Sequence, residues 1–473
     1  YLCLRRLNAF RSETEKDEQE YVQLLRWAEQ TESGDIEDFG FAGVTVWDRV
    51  CTDADACKGR NCAYFQRCFY YAARRSWENA QIIVANHALV AINGLLAPDA
   101  RILPQTELLI IDEAHGLEKV LSDQIGIALT NRGFEYVLNR LLRHDERGTY
   151  KGLLSLSPVV FPAVQDLRDR LAGLWNAVRE QYRDRQTVRG RVLVEDALTA
   201  ARGAMLTLLE EAPAAAIGLY AEDDEIELKA ALAKLSAYAD AISEFLDEPE
   251  DSVRWTEIET HRTALRMAPL YPHAFMQRNL LPDYETVLFT SATLSVNGDF
   301  RFMRELLGIE QASSISLPSP FDLEQQVHVQ IIEGIDLRTD ATSINKLSEV
   351  IVSAAEEETG GMLVLFTSRD AMRRVWDTSA ERVRALGRRV MMQGDALQNR
   401  AMLEIMREHR NAVIFGLDSF WEGVDVRGDA LRCLVITKLP FEVPTEPVNQ
   451  ARTEDMERRE KTHFWNTACP GRS

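Results

Sequence analysis

The sequence has no long uninterrupted hydrophobic run. A helix that spans a bilayer needs about 20 consecutive apolar residues, and no segment of the 473-residue chain approaches that length. The amino-terminal residues also lack the pattern of positive charge, apolar core and small-residue cleavage site that marks a signal peptide. The first absence excludes a membrane-spanning helix within this sequence. Together they lead us to expect a cytoplasmic protein with no membrane partner.

A surplus of positive charge is also missing. Lysine and arginine number 54 and acidic residues 74, which gives a net charge of −20. A deficit of this kind argues against a nucleic-acid partner, but only weakly, because a basic groove can coexist with acidic surface elsewhere. The acidic residues are clustered, for example at 222–225 and 247–251. We interpret such runs as solvated surface.

Low-complexity tracts and internal repeats are absent as well. Hydrophobic residues make up 46% and charged residues 27% of the chain, which is an ordinary globular composition. A chain of this length is too long for a single hydrophobic core. About three compact units are therefore expected.

Short apolar runs that end in polar residues recur along the chain. Such runs are typical of buried strands in a parallel sheet. In open sheets of this kind, ligands bind beyond the carboxyl ends of the strands. We therefore predict strands at 81–90, 107–115, 286–290, 361–366, 412–415 and 431–437, and candidate functional residues at the carboxyl ends of all but the last.

Between about 126 and 275 the apolar residues follow a helical period instead. They recur at steps of three and four residues, which is typical of helices with one buried face. We predict a helical domain here and assign its apolar stripes to the core. The stripes comprise Leu167, Leu171, Leu174, Val178, Leu228, Leu232, Leu235, Ile242 and Leu246.

Four of the seven cysteines fall within eighteen residues, at 51, 57, 62 and 68. Clustered cysteines in a chain without secretory features more often bind metal than form disulfides. The spacing Cys57-x₄-Cys62-x₅-Cys68 needs one distant thiolate to complete the four ligands of a cubane iron–sulfur cluster. A structural zinc site is the alternative, although only Cys57 and Cys62 have the spacing usual for zinc.

The tetrapeptide Asp-Glu-Ala-His at 112–115 follows one of the predicted strands. A carboxylate at a strand end can hold Mg²⁺, and the next one can orient the water that attacks a γ-phosphate. Alone, the tetrapeptide could equally be a chance sequence at a strand-to-helix turn, where acidic residues are common. Companion clusters after other strands favour the functional interpretation, and they lie at 291–293, 366–368 and 420–425.

Together these motifs resemble the DinG branch of the superfamily 2 helicases, which is related to XPD, over nearly the whole chain. The residues at 112–115 are similar to motif II, the DEAH box, and those at 291–293 to motif III. Residues 365–368 are similar to motif IV, and 419–425 to motif V, the most specific of these signatures. Further family stretches are matched at 84–87 and 319–322.

The resemblance implies an α/β fold with two RecA-like P-loop NTPase domains. The first would be interrupted by a cysteine-rich Fe–S insert and by a helical Arch-like domain. The boundaries we expect are 1–72 for the Fe–S insert, 73–125 for motor domain 1 with the DEAH box, 126–275 for the Arch-like domain, 276–310 for the return strand of motor domain 1, and 311–473 for an incomplete motor domain 2.

The resemblance also implies roles for individual residues. Cys3 is the expected fourth ligand of a [4Fe–4S] cluster, with Cys51 as its rival. Alone, Asn86 or His87 would be interpreted as a satisfied turn or core residue. The implied sites are catalytic at Asp112, Glu113 and His115; nucleotide-binding at Glu422, Gly423 and Asp425; cluster-binding at Cys3, Cys57, Cys62 and Cys68; and DNA-binding at Asn86, His87, Thr367 and Ser368.

By this resemblance the expected activity is an ATP-dependent DNA helicase of DNA repair or replication. It would travel 5′ to 3′ on single-stranded DNA and unwind forked or otherwise structured DNA, using ATP, Mg²⁺ and the cluster. The alternative is a non-enzymatic iron–sulfur module that binds DNA. A nuclease is a third possibility, but no cluster of metal-binding carboxylates is evident beyond Asp112 and Glu113.

Two motifs of the family's ATP site are absent from the sequence. There is no Gly-x-x-x-x-Gly-Lys-Ser/Thr loop to hold the phosphates, and no Gln-x-x-Gly-Arg-x-x-Arg motif to supply arginines to the transition state. The loop is expected upstream of Tyr1 and the arginines after Phe464. We therefore expect a chain truncated at both ends, with undetectable ATP hydrolysis on its own.

Overall fold

The structure is a computed structural model of the chain. It describes residues 1–39, 43–145, 147–183, 187–188, 192–247, 251–336, 341–395, 397–421, 424–440 and 446–458. Within these ranges the protein is a mixed α/β molecule with two parallel sheets and two antiparallel sheets, one of four strands and one of two in each class. None of the described helices combines the length and apolar character required to cross a membrane.

The amino-terminal segment is helical and carries the clustered cysteines. Its small core is built on buried apolar side chains that include Leu2, Leu7 and Leu24. Short turns, not long elements, hold the cysteines between the third and fourth helices. The helices are α1 (Leu4–Ala9), α2 (Glu15–Gln30), α3 (Trp47–Val50) and α4 (Phe69–Glu78).

The DEAH box lies in the next unit, directly after the strand β1 (Leu108–Ile111), which is flanked by α5 (His87–Leu95) and α6 (Leu117–Ile125). The strand predicted at 81–90 is wrong, because residues 81–86 have no regular structure and a helix begins at His87. The side chain of Asn86 accepts a hydrogen bond from the Leu89 backbone N–H and so caps that helix. This capping hydrogen bond favours a helix start at His87 over a β-strand that continues through residues 87–90.

A helical domain follows, and its apolar stripes lie on long helices as the periodicity predicts. An antiparallel sheet in the order β2-β7-β6-β5, which the sequence did not indicate, packs beside them. The elements are β2 (Ile127–Thr130), α7 (Asn131–Leu141), β3 (Arg143–His144), β4 (Tyr150–Lys151), α8 (Phe161–Gln181), β5 (Thr187–Val188), α9 (Glu195–Ala216), α10 (Glu222–Leu246), β6 (Ser252–Ile258) and β7 (Thr263–Pro269).

The chain then returns to the first parallel sheet. After α11 (His273–Phe275) and a π-helical turn (Met276–Leu280), β8 (Thr286–Phe289) pairs with β1 and is followed by α12 (Arg301–Leu307). The pairing is parallel, with Leu108 opposite Thr286 and Ile111 opposite Phe289. Both predicted strands are thus confirmed as neighbours, and both end at the same edge.

The second α/β unit contains a four-stranded parallel sheet in the order β10-β11-β9-β12. All three strands predicted between 361 and 437 are present. The elements are α13 (Leu323–Gln326), α14 (Ala341–Glu357), β9 (Met362–Leu365), α15 (Arg369–Ala385), β10 (Arg389–Met392), α16 (Asn399–His409), β11 (Ala412–Gly416), β12 (Cys433–Ile436) and α17 (Pro447–Arg458).

Helix α17 docks on the first half of the molecule. The Arg452 side chain donates to the carbonyl of Leu270 at 2.8 Å and pairs with the Glu118 carboxylate. The Tyr271 hydroxyl hydrogen-bonds to the Asp455 carboxylate at 3.1 Å. These contacts tie the last described helix to the unit that carries the DEAH box.

The carboxylate of Glu227 on α10 is a central contact between the helical domain and the amino-terminal segment. The Nη2 atoms of Arg5, Arg6 and Arg140 each lie 2.6 Å from one of its oxygens. Arg5 and Arg6 are almost fully buried, and the Glu227 side chain is 16% exposed. Three guanidinium groups from two chain regions therefore share one largely buried carboxylate, and Asp53 pairs with two of them as well.

The same arginines hold the backbone of the cysteine-bearing loop. Arg5 donates to the Ala56 carbonyl at 2.8 Å, and Arg6 donates to the Cys51 carbonyl at 3.0 Å. Burial alone would raise the pKa of the Glu227 carboxyl, but hydrogen bonding and the charge of Arg6, followed by Arg5, hold that pKa below its ordinary value of 4.5. The ionised carboxylate thus stabilises the folded chain.

We predict that Glu227→Gln lowers the free energy of unfolding by about 3 kcal/mol, because it removes the carboxylate that three guanidinium groups share and leaves them only Asp53 and Asp223 as charged partners. Glu244→Gln, a change to an exposed residue on the same helix, should alter it by less than about 0.5 kcal/mol. Urea unfolding measures both variants. Because the folded pKa of Glu227 is depressed, its contribution should be present above about pH 4.5 and disappear as the pH falls through the folded pKa. Equal stability of the two variants at neutral pH would contradict this.

Candidate functional site

The backbone turns sharply where β1 ends and the acidic pair begins. Glu113 has a left-handed backbone conformation, with φ of 48°. Its backbone N–H donates to the Asp112 carboxylate at 3.0 Å, and the Ala114 N–H donates to the Thr290 carbonyl at 3.0 Å. A positive φ is costly for a residue with a side chain and is concentrated at functional sites. The turn leaves both carboxylates exposed at the carboxyl edge of the sheet.

Ser291, which follows β8, joins the two carboxyl-edge motifs. Its hydroxyl donates to the Glu113 carboxylate at 3.0 Å. That uses its only proton, so the contact of 2.9 Å with His115 must be a hydrogen bond donated by His115 Nδ1. The Glu113 side chain is 54% exposed, whereas that of His115 is 10% exposed. Ser291 and His115 thus orient the Glu113 carboxylate, which stays open to solvent.

Asn86 and His87 lie beside this site, with contacts of their own. His87 Nε2 is 2.8 Å from the Asp112 carbonyl oxygen, which can only accept, so the ring carries its proton on that nitrogen. Asn86 caps α5 by accepting from the Leu89 N–H at 2.8 Å. Both residues therefore support local structure at the DEAH edge. Their expected contact with DNA remains a prediction.

The motif IV and motif V residues lie together in the second sheet, at the ends of β9 and β11. The indole N–H of Trp421 donates to the Phe366 carbonyl at 3.2 Å, and the Phe366 N–H donates to the Gly416 carbonyl at 2.9 Å. Thr367 and Ser368 are exposed, and Ser368 caps α15. The predicted motif residues are thus adjacent, with two hydroxyls facing solvent.

Two polar residues that the sequence analysis missed contact motif V. The Ser419 hydroxyl accepts from Gln393 Nε2 at 2.6 Å and from Asn399 Nδ2 at 2.8 Å. Gln393 comes directly after β10, so the rule that polar residues follow buried strands could have identified it. The sequence signal of Gln393 was hidden because the strand before it is short, begins with Arg389 and follows another arginine, Arg388.

The remaining predicted nucleotide-binding residues belong to motif V itself. Asp425 is exposed, its carbonyl accepts from Arg407 at 3.0 Å, and its carboxylate is 3.4 Å from Arg427. Glu422 and Gly423 lie outside the described residues.

The cysteines predicted to bind a cluster lie on short turns of the amino-terminal segment. Cys62 and Cys68 each end a 3₁₀ turn, and Cys68 also begins α4. The structure places both rivals for the fourth ligand side by side. The Cys3 N–H donates to the Val50 carbonyl at 2.8 Å, next to Cys51.

The thiol groups are chemically suited to a metal cluster, since all six cysteines in the described ranges are free thiols. Burial raises the pKa of the Cys3 and Cys51 thiols. Among the described residues, no group of three or more His, Cys, Asp or Glu side chains lies close enough together to hold a metal ion. The cysteine thiols are of the right chemical type to bind an iron–sulfur cluster. They would have to move closer together to do so.

Comparison with known proteins agrees with this geometry. A family profile described as DEAD_2 matches residues 47–134, and one described as helicase C-terminal domain matches residues 351–471. The first contains the cysteine cluster and the DEAH box. The second contains motifs IV and V.

Curated relatives cover nearly the whole chain. The ATP-dependent DNA helicase YoaA of Escherichia coli (strain K12) is 28% identical over 486 residues, covering 99% of this chain and 73% of the relative. YoaA of Haemophilus influenzae is 28% identical, with coverages of 96% and 71%. The ATP-dependent helicase DinG of Mycobacterium tuberculosis (strain H37Rv) is 27% identical, with coverages of 94% and 66%.

A solved structure shares the fold. An XPD helicase superposes with a TM-score of 0.51 at 15% identity, covering 84% of this chain and 65% of that one. The α/β fold with two RecA-like motor domains is thereby confirmed, while the details of the cysteine-rich insert stay a prediction. In its motifs, its relatives and its fold, the chain is similar to the DinG/XPD-like branch of the superfamily 2 helicases.

Proposed function

We propose that the protein is an ATP-dependent DNA helicase of the cytoplasm that moves 5′ to 3′ along single-stranded DNA and unwinds forked or otherwise structured duplexes. One observation carries the proposal above all others. Ser291 bridges Glu113 and His115 at the carboxyl edge of the β1–β8 pair, which joins motif II to motif III.

The arrangement suits phosphoryl transfer to water. Asp112 is an exposed carboxylate that would hold Mg²⁺, and the ion when bound would neutralise charge on the phosphates. Glu113 would orient the attacking water, because its carboxylate is open to solvent on one side and held by Ser291 on the other. His115 donates to the same serine and so fixes the direction of the Ser291 proton.

The second sheet would supply the other wall of the nucleotide cleft and part of the DNA path. Asp425 with Glu422 and Gly423 is assigned to the nucleotide, and Thr367 and Ser368 are assigned to DNA. Hydroxyls at a strand end suit a motor that grips the DNA backbone and ignores base sequence. Asn86 and His87 would act at the corresponding edge of the first sheet.

We further propose that Cys3, Cys57, Cys62 and Cys68 hold a [4Fe–4S] cluster. Four thiolates are the required donor set, and the short turns at 59–61 and 65–67 allow the loop to close around a cluster. When bound, the cluster would act as a rigid covalent link between distant points of the segment.

The catalytic assignment predicts that Glu113→Gln, in the protein expressed from its complete gene, lowers DNA-stimulated phosphate release by about 100-fold or more, since it removes the group that orients water. Nucleotide binding should be retained. Glu285→Gln changes an exposed residue at the opposite end of β8 and should leave phosphate release unchanged. Wild-type turnover in Glu113→Gln would refute the assignment and favour a non-enzymatic DNA-binding module.

The cluster assignment predicts that the protein purified without oxygen is brown and contains iron and sulfide. Serine replacement of Cys3, Cys57, Cys62 or Cys68 should remove both, whereas Cys51→Ser should keep both. The reverse result for Cys3 and Cys51 would exchange their roles. Zinc without sulfide would disprove the cluster.

The assignment of Asn86 to DNA predicts two separable effects. Asn86→Ala should lower the free energy of unfolding by about 1 kcal/mol, because the helix cap is lost. Asn86→Ser preserves a capping oxygen and should keep stability, yet both variants should weaken binding of single-stranded DNA, since both remove the amide. Chemical denaturation and fluorescence anisotropy measure the two effects. Wild-type DNA affinity in Asn86→Ser would show that the residue serves only as a cap.

A further inference from the structure

A cavity in the helical domain lies away from every helicase motif. It has a volume of about 570 Å³ and opens between the end of α7, the β3–β4 hairpin and the start of α8. We call it the hairpin pocket. The residues that matter for its chemistry are Asn139, Arg143, His144, Tyr150, Phe161 and Arg168.

Three rings form a ladder along the hairpin pocket. His144 and Tyr150 are opposite each other in the β3–β4 pair, which places their side chains together. The ring centroids of His144 and Tyr150 are 4.2 Å apart, and so are those of Tyr150 and Phe161. Tyr150 is 42% exposed. The ladder therefore presents an open aromatic surface where a further flat ring could stack.

Arg168 supplies a positive charge in the pocket that its hydrogen bonds do not neutralise. Its Nη2 donates to the side-chain oxygen of Asn139 at 3.0 Å and to the Leu142 carbonyl, and both oxygens are uncharged. Burial lowers the pKa of the Arg168 guanidinium, and the negative charge of Glu135, which is not hydrogen-bonded to it, opposes that shift. A half-buried cation bonded only to neutral oxygens favours an anionic ligand, because the ligand would restore the electrostatic stabilisation lost with water.

Two other arginines of this region already have carboxylate partners. Arg143 pairs with Glu13 of the amino-terminal segment, and Arg170 pairs with Asp166 on the outer face of α8. The first of these pairs also places the pocket next to the segment that carries the cysteines. The Arg168 charge and the open rings thus meet at the border between the helical domain and the cysteine-bearing segment.

We propose that the hairpin pocket binds one nucleotide of single-stranded DNA, with the base stacked on the Tyr150 ladder and a phosphate oxygen bonded to Arg168. The inference rests on the proposed function and extends it to a DNA contact on the helical domain. An aromatic surface beside an arginine is the combination that binds single strands without regard to sequence. The ligand supplies both a flat ring and a negative charge, as the pocket requires.

The stacking contact is tested with the whole chain, by fluorescence anisotropy on a labelled single-stranded oligonucleotide. Tyr150→Ala should weaken binding by roughly 5- to 100-fold, the range typical of losing one base–aromatic stack. Tyr150→Phe keeps the ring and should bind like the wild type. Light-induced cross-linking of an oligonucleotide carrying 5-iodouracil should label residues of the ring ladder.

The charge contact is tested by the salt dependence of the same binding. Arg168→Gln should reduce the slope of log affinity against log salt concentration by about 0.7, the value for one phosphate contact on a single strand. Arg170→Gln, on the same helix and already paired with Asp166, should leave the slope unchanged. A smaller salt-dependence slope in Arg168→Gln indicates the loss of a phosphate contact, which distinguishes this effect from a loss of folding.

The outcomes separate this inference from the proposed function. If the wild-type chain binds single-stranded DNA while Tyr150→Ala and Arg168→Gln bind it equally well, the pocket is not a DNA site and the helicase assignment stands. Cross-links confined to motor residues such as Asn86 or Thr367 would overturn the inference in the same way. If Glu113→Gln retains turnover but the pocket variants lose DNA binding, the catalytic assignment fails and the pocket assignment stands.

Discussion

The parallel pairing of β1 with β8 is the contact on which the rest of the molecule depends. It brings Glu113 and Ser291 into hydrogen-bonding distance although they are 178 residues apart in the chain. Parallel strands need a long crossover, and here the crossover contains the entire helical domain. Because both strands end at the same edge, the acidic turn and the Ser-Ala-Thr turn face each other. The contact between Glu113 and Ser291 therefore arises from the parallel direction of the two strands more than from the local sequence of either one.

A crossover of that length must be anchored, and buried charge does this. Glu227 on α10 binds arginines from the amino-terminal segment and from α7. Removing one charge from such a cluster leaves the other charges buried with less electrostatic compensation. The members of the cluster therefore depend on one another for stability. The same arginines hold the backbone near Cys51 and Ala56. The geometry of the cysteine loop is therefore coupled to the position of the helical domain.

Charge is organised locally in a chain that is acidic overall. The net charge of −20 resides largely in exposed acidic residues, whereas several arginines are buried in specific contacts. Arg388, for example, donates to the carbonyls of Ala355 on α14 and of Asn411, which precedes β11, and so links elements of the second α/β unit. Arg168 differs, because its bonds end on neutral oxygens in an open cavity. A chain with an acidic surface can thus keep discrete cationic sites for DNA, where the local field and not the sum decides binding.

The sequence by itself determined the strand ends, the long helices and the motif residues. It could do so because the periodic spacing of apolar residues and the polar residues that follow strands are local patterns. It predicted the strands at 107–115, 286–290 and those of the second sheet, and it identified Glu113 and Ser291 as members of separate motifs. It was wrong at 81–90, where the Asn86 cap starts a helix. Only the tertiary structure decided that Ser291 contacts Glu113, that Gln393 and Asn399 hold Ser419, that Cys3 and Cys51 lie side by side, and that Arg168 lines the same cavity as the aromatic ladder. Each of these depends on which strands pair and how helices dock, and such long-range contacts leave no periodic trace in one sequence.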